Sequence, residues 1–267
     1  MNRISWLMYV GFLGFILVSF KADLNLKSGV YSPDGVSNIK TKVGMKTKVL
    51  SSGTSTLENL EVWLEEINPG KSLSSLAVGS GTDEMLILRE GNCELMYSSG
   101  KSQLHTGSVV VLGEGEKYDI KATGKSRLVF FRFIFKPGKA AEAVKSGDEV
   151  KPFICDWDTL SFKPSANGGR RNIINQRCTV LKNLEIHTTL LKEGLPSHAA
   201  HVHPDDEIIL VRKGIAEESI GDEHFLAPGG SVIFLSANDP HGIRNAGTGE
   251  CEYYAIRWIT NLTRSAK

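Results

Sequence analysis

Val202-His-Pro-Asp-Asp-Glu-Ile-Ile-Leu-Val-Arg-Lys-Gly214 repeats the pattern of Gly79-Ser-Gly-Thr-Asp-Glu-Met-Leu-Ile-Leu-Arg-Glu-Gly91, 123 positions upstream. The match extends outward from there. Leu57-Glu-Asn-Leu-Glu-Val-Trp63 aligns with Leu181-Lys-Asn-Leu-Glu-Ile-His187, and Gly107-Ser-Val-Val-Val-Leu112 with Gly230-Ser-Val-Ile-Phe-Leu235. Gly124 then meets Gly247, and Arg132 meets Arg257. Order is kept and the offset drifts by only a residue or two, which is the mark of a duplicated unit. The chain is read as two copies, over residues 28–147 and 148–267.

Each copy carries short β-like runs separated by turn residues. In the second these are Leu184–Leu191, Glu207–Val211, Ser231–Leu235 and Glu252–Ile259, punctuated at Gly194-Leu-Pro, Ala227-Pro-Gly-Gly and Asn238-Asp-Pro. Helical periodicity is scarce, with one short helix expected over 140–145. Many evenly spaced strands in so short a unit predict an all-β fold of two tandem small barrels or jelly rolls. At 267 residues and 41% hydrophobic there is material for two packed cores, and nine prolines with no low-complexity stretch leave no disordered linker. A net charge of +1 without a basic run points away from nucleic acid.

The copies differ where it matters chemically. The second contains His201-x-His203-x3-Glu207 and, 34 residues on, His241. Positions 201, 203 and 207 share one parity, so on a strand they would face the same way. Imidazoles plus one carboxylate, with room for water or substrate, suit a divalent transition metal, whether Mn, Fe, Zn or Ni. The first copy has Val78, Ser80 and Tyr118 in place of the three histidines and keeps only Glu84. One carboxylate cannot hold such an ion against water, so the first barrel is expected to be a degenerate, structural partner.

These residues resemble the cupin superfamily. Gly194, His201, His203, Glu207 and Gly214 follow its first motif with one extra residue before His201. Gly230, His241 and Asn245 follow its second, with Ser236 and Asn238 where the motif has Pro and Gly. With the repeat, the resemblance is to a bicupin, and it implies that His201, His203, Glu207 and His241 bind one metal inside the second barrel. The layout is similar to that of (S)-ureidoglycine aminohydrolase-type bicupins, whose motif is nonetheless not H-x-H-x3-E. Among the remaining residues, His198 and His187 are the candidates for proton transfer. Arg257 and Asn245 are the candidates for contacting substrate or orienting the His241 loop. Asp205 and Asp206 read as turn or supporting groups, and His105 and His224 as surface residues.

Three functions fit this set. The first is a redox-neutral metalloenzyme (hydrolase, isomerase or lyase) on a small polar carbohydrate- or ureide-like molecule. The second is an iron- or manganese-dependent oxygenase or decarboxylase, and the third a metal- or ligand-binding module without turnover. Residues 1–22 join Arg3 to the uncharged run Trp6–Phe20 and then Lys21, which predicts a signal peptide, or failing cleavage a membrane anchor. Export to the periplasm or beyond follows. Cys93, Cys155, Cys178 and Cys251 allow disulfides or buried free thiols equally. Barrels with exposed sheet edges make a homodimer possible.

Overall fold

The structure, a computed structural model, describes residues 25–139 and 150–263. The expected signal segment and the expected helix over 140–145 lie outside the described residues.

Each copy of the repeat builds one large and one small antiparallel sheet. In the first copy the large sheet runs, edge to edge, Phe153–Cys155, Val109–Leu112, Asp83–Glu90, Leu128–Lys136, Asn59–Ile67, Gly44–Ser52 and Asn38–Lys40. In the second it runs Gly29–Tyr31, Val232–Leu235, Glu207–Lys213, Cys251–Ile259, Asn183–Leu191, Gly168–Gln176 and Lys163–Ser165. The small sheets are Ser72–Ala77, Lys117–Thr123, Asn92–Tyr97 and Gly100–Leu104 in one case, and Glu223–Pro228, Ile215–Ile220 and His241–Asn245 in the other. The fold is all-β, a pair of jelly rolls.

Sheet membership departs from the repeat boundary at two short strands. Gly29–Tyr31, from the start of the first copy, pairs with Val232–Leu235 of the second. Phe153–Cys155, from the start of the second, pairs with Val109–Leu112 of the first. Each copy therefore lends a strand to the other's large sheet.

The period-two alternation of side chains gives each large sheet two distinct faces. In Asn183–Leu191, Leu184 and Ile186 face outward, whereas Glu185, His187 and Thr189 face the barrel interior. The outward faces of the two large sheets pack on each other as one core. Leu60, Val62, Phe133 and Phe135 come from the first half; Leu184, Ile186, Ile256 and Trp258 come from the second. Phe135 and Trp258 meet edge-on at 5.4 Å between ring centroids. Each barrel then has its own smaller interior cluster.

Two buried carboxylates lock the halves reciprocally. Asp83 accepts the amides of Thr179, Val180 and Leu181 at 3.1, 2.9 and 3.1 Å. Its repeat partner Asp206 accepts the hydroxyls of Thr54, Ser55 and Thr56 at 2.7, 2.8 and 2.9 Å. Each aspartate thus reaches the loop ahead of the Leu-x-Asn-Leu-Glu strand in the opposite copy. A buried charge is tolerated here because several donors satisfy it. All four cysteines are free thiols, and Cys93, Cys178 and Cys251 are buried.

Candidate metal centre

The segment between Leu191 and Glu207 is a loop, and only Glu207 of the first motif lies on a strand. The shared-parity expectation for His201 and His203 is thereby corrected. Pro204 has no amide to donate and the buried Asp206 is turned toward the other half, so the run before Glu207 cannot extend the ladder. What holds the histidines is backbone pairing between the loop and the small sheet. The His201 amide donates to the His241 carbonyl and the His241 amide to that of His201, both at 3.0 Å. The Asn238 amide donates to the His203 carbonyl at 2.8 Å. Asn238 has a φ of 67°, the left-handed conformation for which the motif keeps glycine and which asparagine tolerates better than other side chains.

Coordinating atoms of His201, His203 and His241 all lie within 4.8 Å of one another. The Glu207 carboxylate Oε2 sits 2.9 Å from His203 Nε2 and 3.6 Å from His241 Nε2. Donors bound to one ion at about 2.1 Å must lie roughly 3–4 Å apart, so this set is nearly at coordinating spacing. Tautomers support the assignment. His203 Nδ1 donates to the Asp205 carbonyl at 2.7 Å, and His241 Nδ1 to that of Asp239 at 2.8 Å. Each ring's Nε2 is then directed inward, the orientation seen when a backbone carbonyl supports a metal-bound histidine. His241 Nε2 is buried and has no hydrogen-bond partner, and His203 Nε2 faces a carboxylate oxygen. A buried, unpartnered imidazole nitrogen beside that carboxylate is the arrangement a shared cation would use. Burial opposes the Glu207 charge, yet the His203 hydrogen bond and the neighbouring imidazoles hold its pKa down to about 2. Burial and the nearby His198 and His241 rings lower His201.

The site opens into a cavity of about 380 Å³. His187 lines it and is buried; desolvation first, then Arg170 and Arg257, depress its pKa to about 4, so it is neutral at pH 7. Arg257 also lines it, with Nε donating to Asp205 at 2.6 Å. His198 stands at the exposed rim, its ring 4.4 Å from that of His201. Asn245 does not line the cavity, which corrects its place among the substrate-contacting residues. Its amide nitrogen donates to the carbonyls of Leu191 and Gly249, and its oxygen accepts the Gly247 amide, so it staples the loop after His241. Asp205 and Asp206 divide their labour: one holds Arg257, the other the opposite half.

Arg170, Tyr253 and Glu218 are among the lining residues that were not anticipated. Tyr253 reaches Ser197 and Thr189. Glu218, 1% exposed, has no hydrogen-bond partner for either carboxylate oxygen among the described residues. Burial, with Glu207 adding like charge, pushes its pKa up to about 8; the nearby Gly242 amide, outside hydrogen-bond geometry, offsets this only in part. Its sequence signal was available: the offset of 123 sets Glu218 against Leu95.

In the first barrel the equivalent place is filled. Val78 and Tyr118 are buried, the Tyr118 hydroxyl donates to Glu84 at 2.9 Å, and Arg132 pairs with Glu65 at 2.6 Å. Elsewhere, His105 Nδ1 lies 3.0 Å from Asp156 and 3.4 Å from Asp158. One ring nitrogen facing both carboxylates makes this an ion-paired surface histidine. His224 is likewise exposed, 3.5 Å from Glu217.

Residues 187–257 match the family profile described as Cupin domain. No curated protein matches the sequence. Among solved structures, the chain is similar to the oxalate decarboxylase of Lactobacillus farciminis in a formate complex (TM-score 0.68, 13% identity, 88% of this chain and 87% of that one). It is also similar to an S161A mutant of Bacillus subtilis oxalate decarboxylase (0.66, 13%, covering 92% and 81%) and to the protein Ylba from E. coli (0.68, 14%, covering 92% and 97%). At such identities the likeness is one of fold.

Proposed function

We propose, from the Cupin domain match over residues 187–257 and the two-barrel fold shared with the solved structures, a metal-dependent, redox-neutral enzyme. It acts as a hydrolase, isomerase or lyase on a small polar substrate of carbohydrate or ureide type. The observation that carries this reading is the pair of carbonyl-fixed imidazoles, His203 and His241, whose Nε2 atoms converge with Glu207 at the floor of a cavity.

His201, His203, Glu207 and His241 would hold the ion. A divalent metal there would polarise a carbonyl or lower the pKa of a water. The remaining work falls to the protein. Arg257, kept in place by Asp205, orients an anionic or carbonyl oxygen on the interior wall. His187, neutral because it is buried, accepts a proton without a change of state beforehand. His198 at the rim is placed to pass protons to solvent. The first barrel, with its polar centre closed by Arg132, Glu65, Glu84 and Tyr118, serves as a rigid base. Export through residues 1–22 belongs to the same reading.

The test uses the full chain purified without added metal, then loaded separately with manganese, iron, zinc or nickel. Turnover of sugar acids and ureido acids is followed in air and under nitrogen. The proposal expects metal-dependent turnover that survives removal of oxygen. Oxygen consumed in step with product would favour the oxygenase reading instead, and ligand binding without turnover the non-catalytic one.

A further inference from the structure

Glu218 is a buried ionisable cavity residue that the reading above leaves without a task. It lies on Ile215–Ile220 in the small sheet, directly across from Ile243. The matching pair in the first barrel is Leu95 and Ile120, both fully buried. The strand pairing is therefore the same in both copies, and in the first an apolar side chain fills this position. The carboxyl appears only in the copy that also carries the three histidines. Among the described residues no donor is in hydrogen-bond geometry with it, and an unsatisfied buried carboxyl weakens a fold. Such a group is retained where a ligand supplies what the protein withholds.

The walls indicate what that ligand carries. Arg170 and Arg257 are on the large sheet, and Glu218 faces them from the small one. A carboxyl accepts hydrogen bonds whether ionised or neutral. We propose that Glu218 is a specificity-determining acceptor, taking an O–H or N–H hydrogen bond from a small carboxylate whose anionic end lies toward Arg170 and Arg257. This rests on the metal-dependent reading and narrows its substrate class to hydroxy or ureido acids.

The test compares wild type, Glu218→Leu and Glu218→Gln, each loaded with manganese. Metal content is measured, then melting temperature alone and with acetate, glycolate or N-carbamoylglycine. Acetate carries the anion without a donor; the other two add a hydroxyl or a ureido group. The leucine variant should keep the metal and melt about 2–4 °C higher, because an unpaired buried group has gone. Wild type should be stabilised more by glycolate and N-carbamoylglycine than by acetate. That difference should vanish in Glu218→Leu and return in part in Glu218→Gln, which keeps an acceptor oxygen. Glu218→Leu that melts lower or loses the metal makes the residue structural and overturns the proposal. So does a wild type that takes up manganese but responds equally to acetate and the donor-bearing acids, or a difference that survives in the leucine variant. A wild type that takes up none of manganese, iron, zinc and nickel overturns the metal-dependent reading and this inference together.

Discussion

His203 shows how much one side chain is asked to do. Its Nδ1 is tied to a backbone carbonyl, its Nε2 faces Glu207, and its own carbonyl accepts the Asn238 amide. His203→Ala removes a donor while leaving the backbone bonds, so metal content should drop from one ion per chain to near zero with the β-rich circular dichroism unchanged. Wild-type metal content in this variant would remove His203 from the ligand set. His187 offers a pH signature. Its folded pKa of about 4 lies below the free value, so below about pH 6.5 the unfolded chain takes up a proton that the folded one refuses. Stability from this group is complete above pH 6.5 and is lost as pH falls toward 4. In metal-free protein, wild type should lose about 2 kcal/mol more than His187→Asn between pH 7 and pH 5. Parallel stability curves for the two proteins would show that the ring is not desolvated. The ligands were legible because their spacing is written in the sequence. Glu218 was not picked out because Glu217 precedes it, and only the repeat register, which sets Glu218 against Leu95 and Glu217 against Glu94, says which of the two points inward; Glu217 in fact pairs with Arg244 outside.

At the scale of the element, strands with clear alternation were legible and short or turn-bound ones were not. The Glu207–Lys213 and Cys251–Ile259 strands fall close to the expected runs. Expecting His201 and His203 on a strand failed because parity was applied across Pro204 and two aspartates, where loop pairing with His241 decides the geometry. The turn ahead of His241 carries its own test. Asn238→Ala puts a residue poorly suited to positive φ at 67° and should cost about 1 kcal/mol, whereas Asn238→Gly should be near neutral. Chemical denaturation of the two variants measures this. Equal losses would mean that the Asn side chain, and not its backbone conformation, is what the turn needs.

For the whole molecule, the repeat announced two similar barrels, but the exchange of Gly29–Tyr31 and Phe153–Cys155 between sheets was invisible, since strands of three residues carry no periodicity. Nor did the sequence indicate that Asp83 and Asp206 would reach across. Asp206→Ala takes the common acceptor from three hydroxyls, two of them on buried threonines, and should lower stability by about 2–4 kcal/mol without changing metal content. A loss below half a kilocalorie would make the reciprocal lock incidental. Residues 150–267 expressed alone would bare Leu184, Ile186, Ile256 and Trp258 and lack the lent strand, so they should aggregate. A soluble, cooperatively melting half would show that the shared core is dispensable. Above all these stands the convergence of four donors in one barrel only. Anomalous scattering from crystals grown with zinc or manganese measures it: a single peak should lie about 2.0–2.3 Å from His201, His203, Glu207 and His241, with nothing beside Glu84. A peak at His105, Asp156 and Asp158 instead, or none near His241, would contradict it.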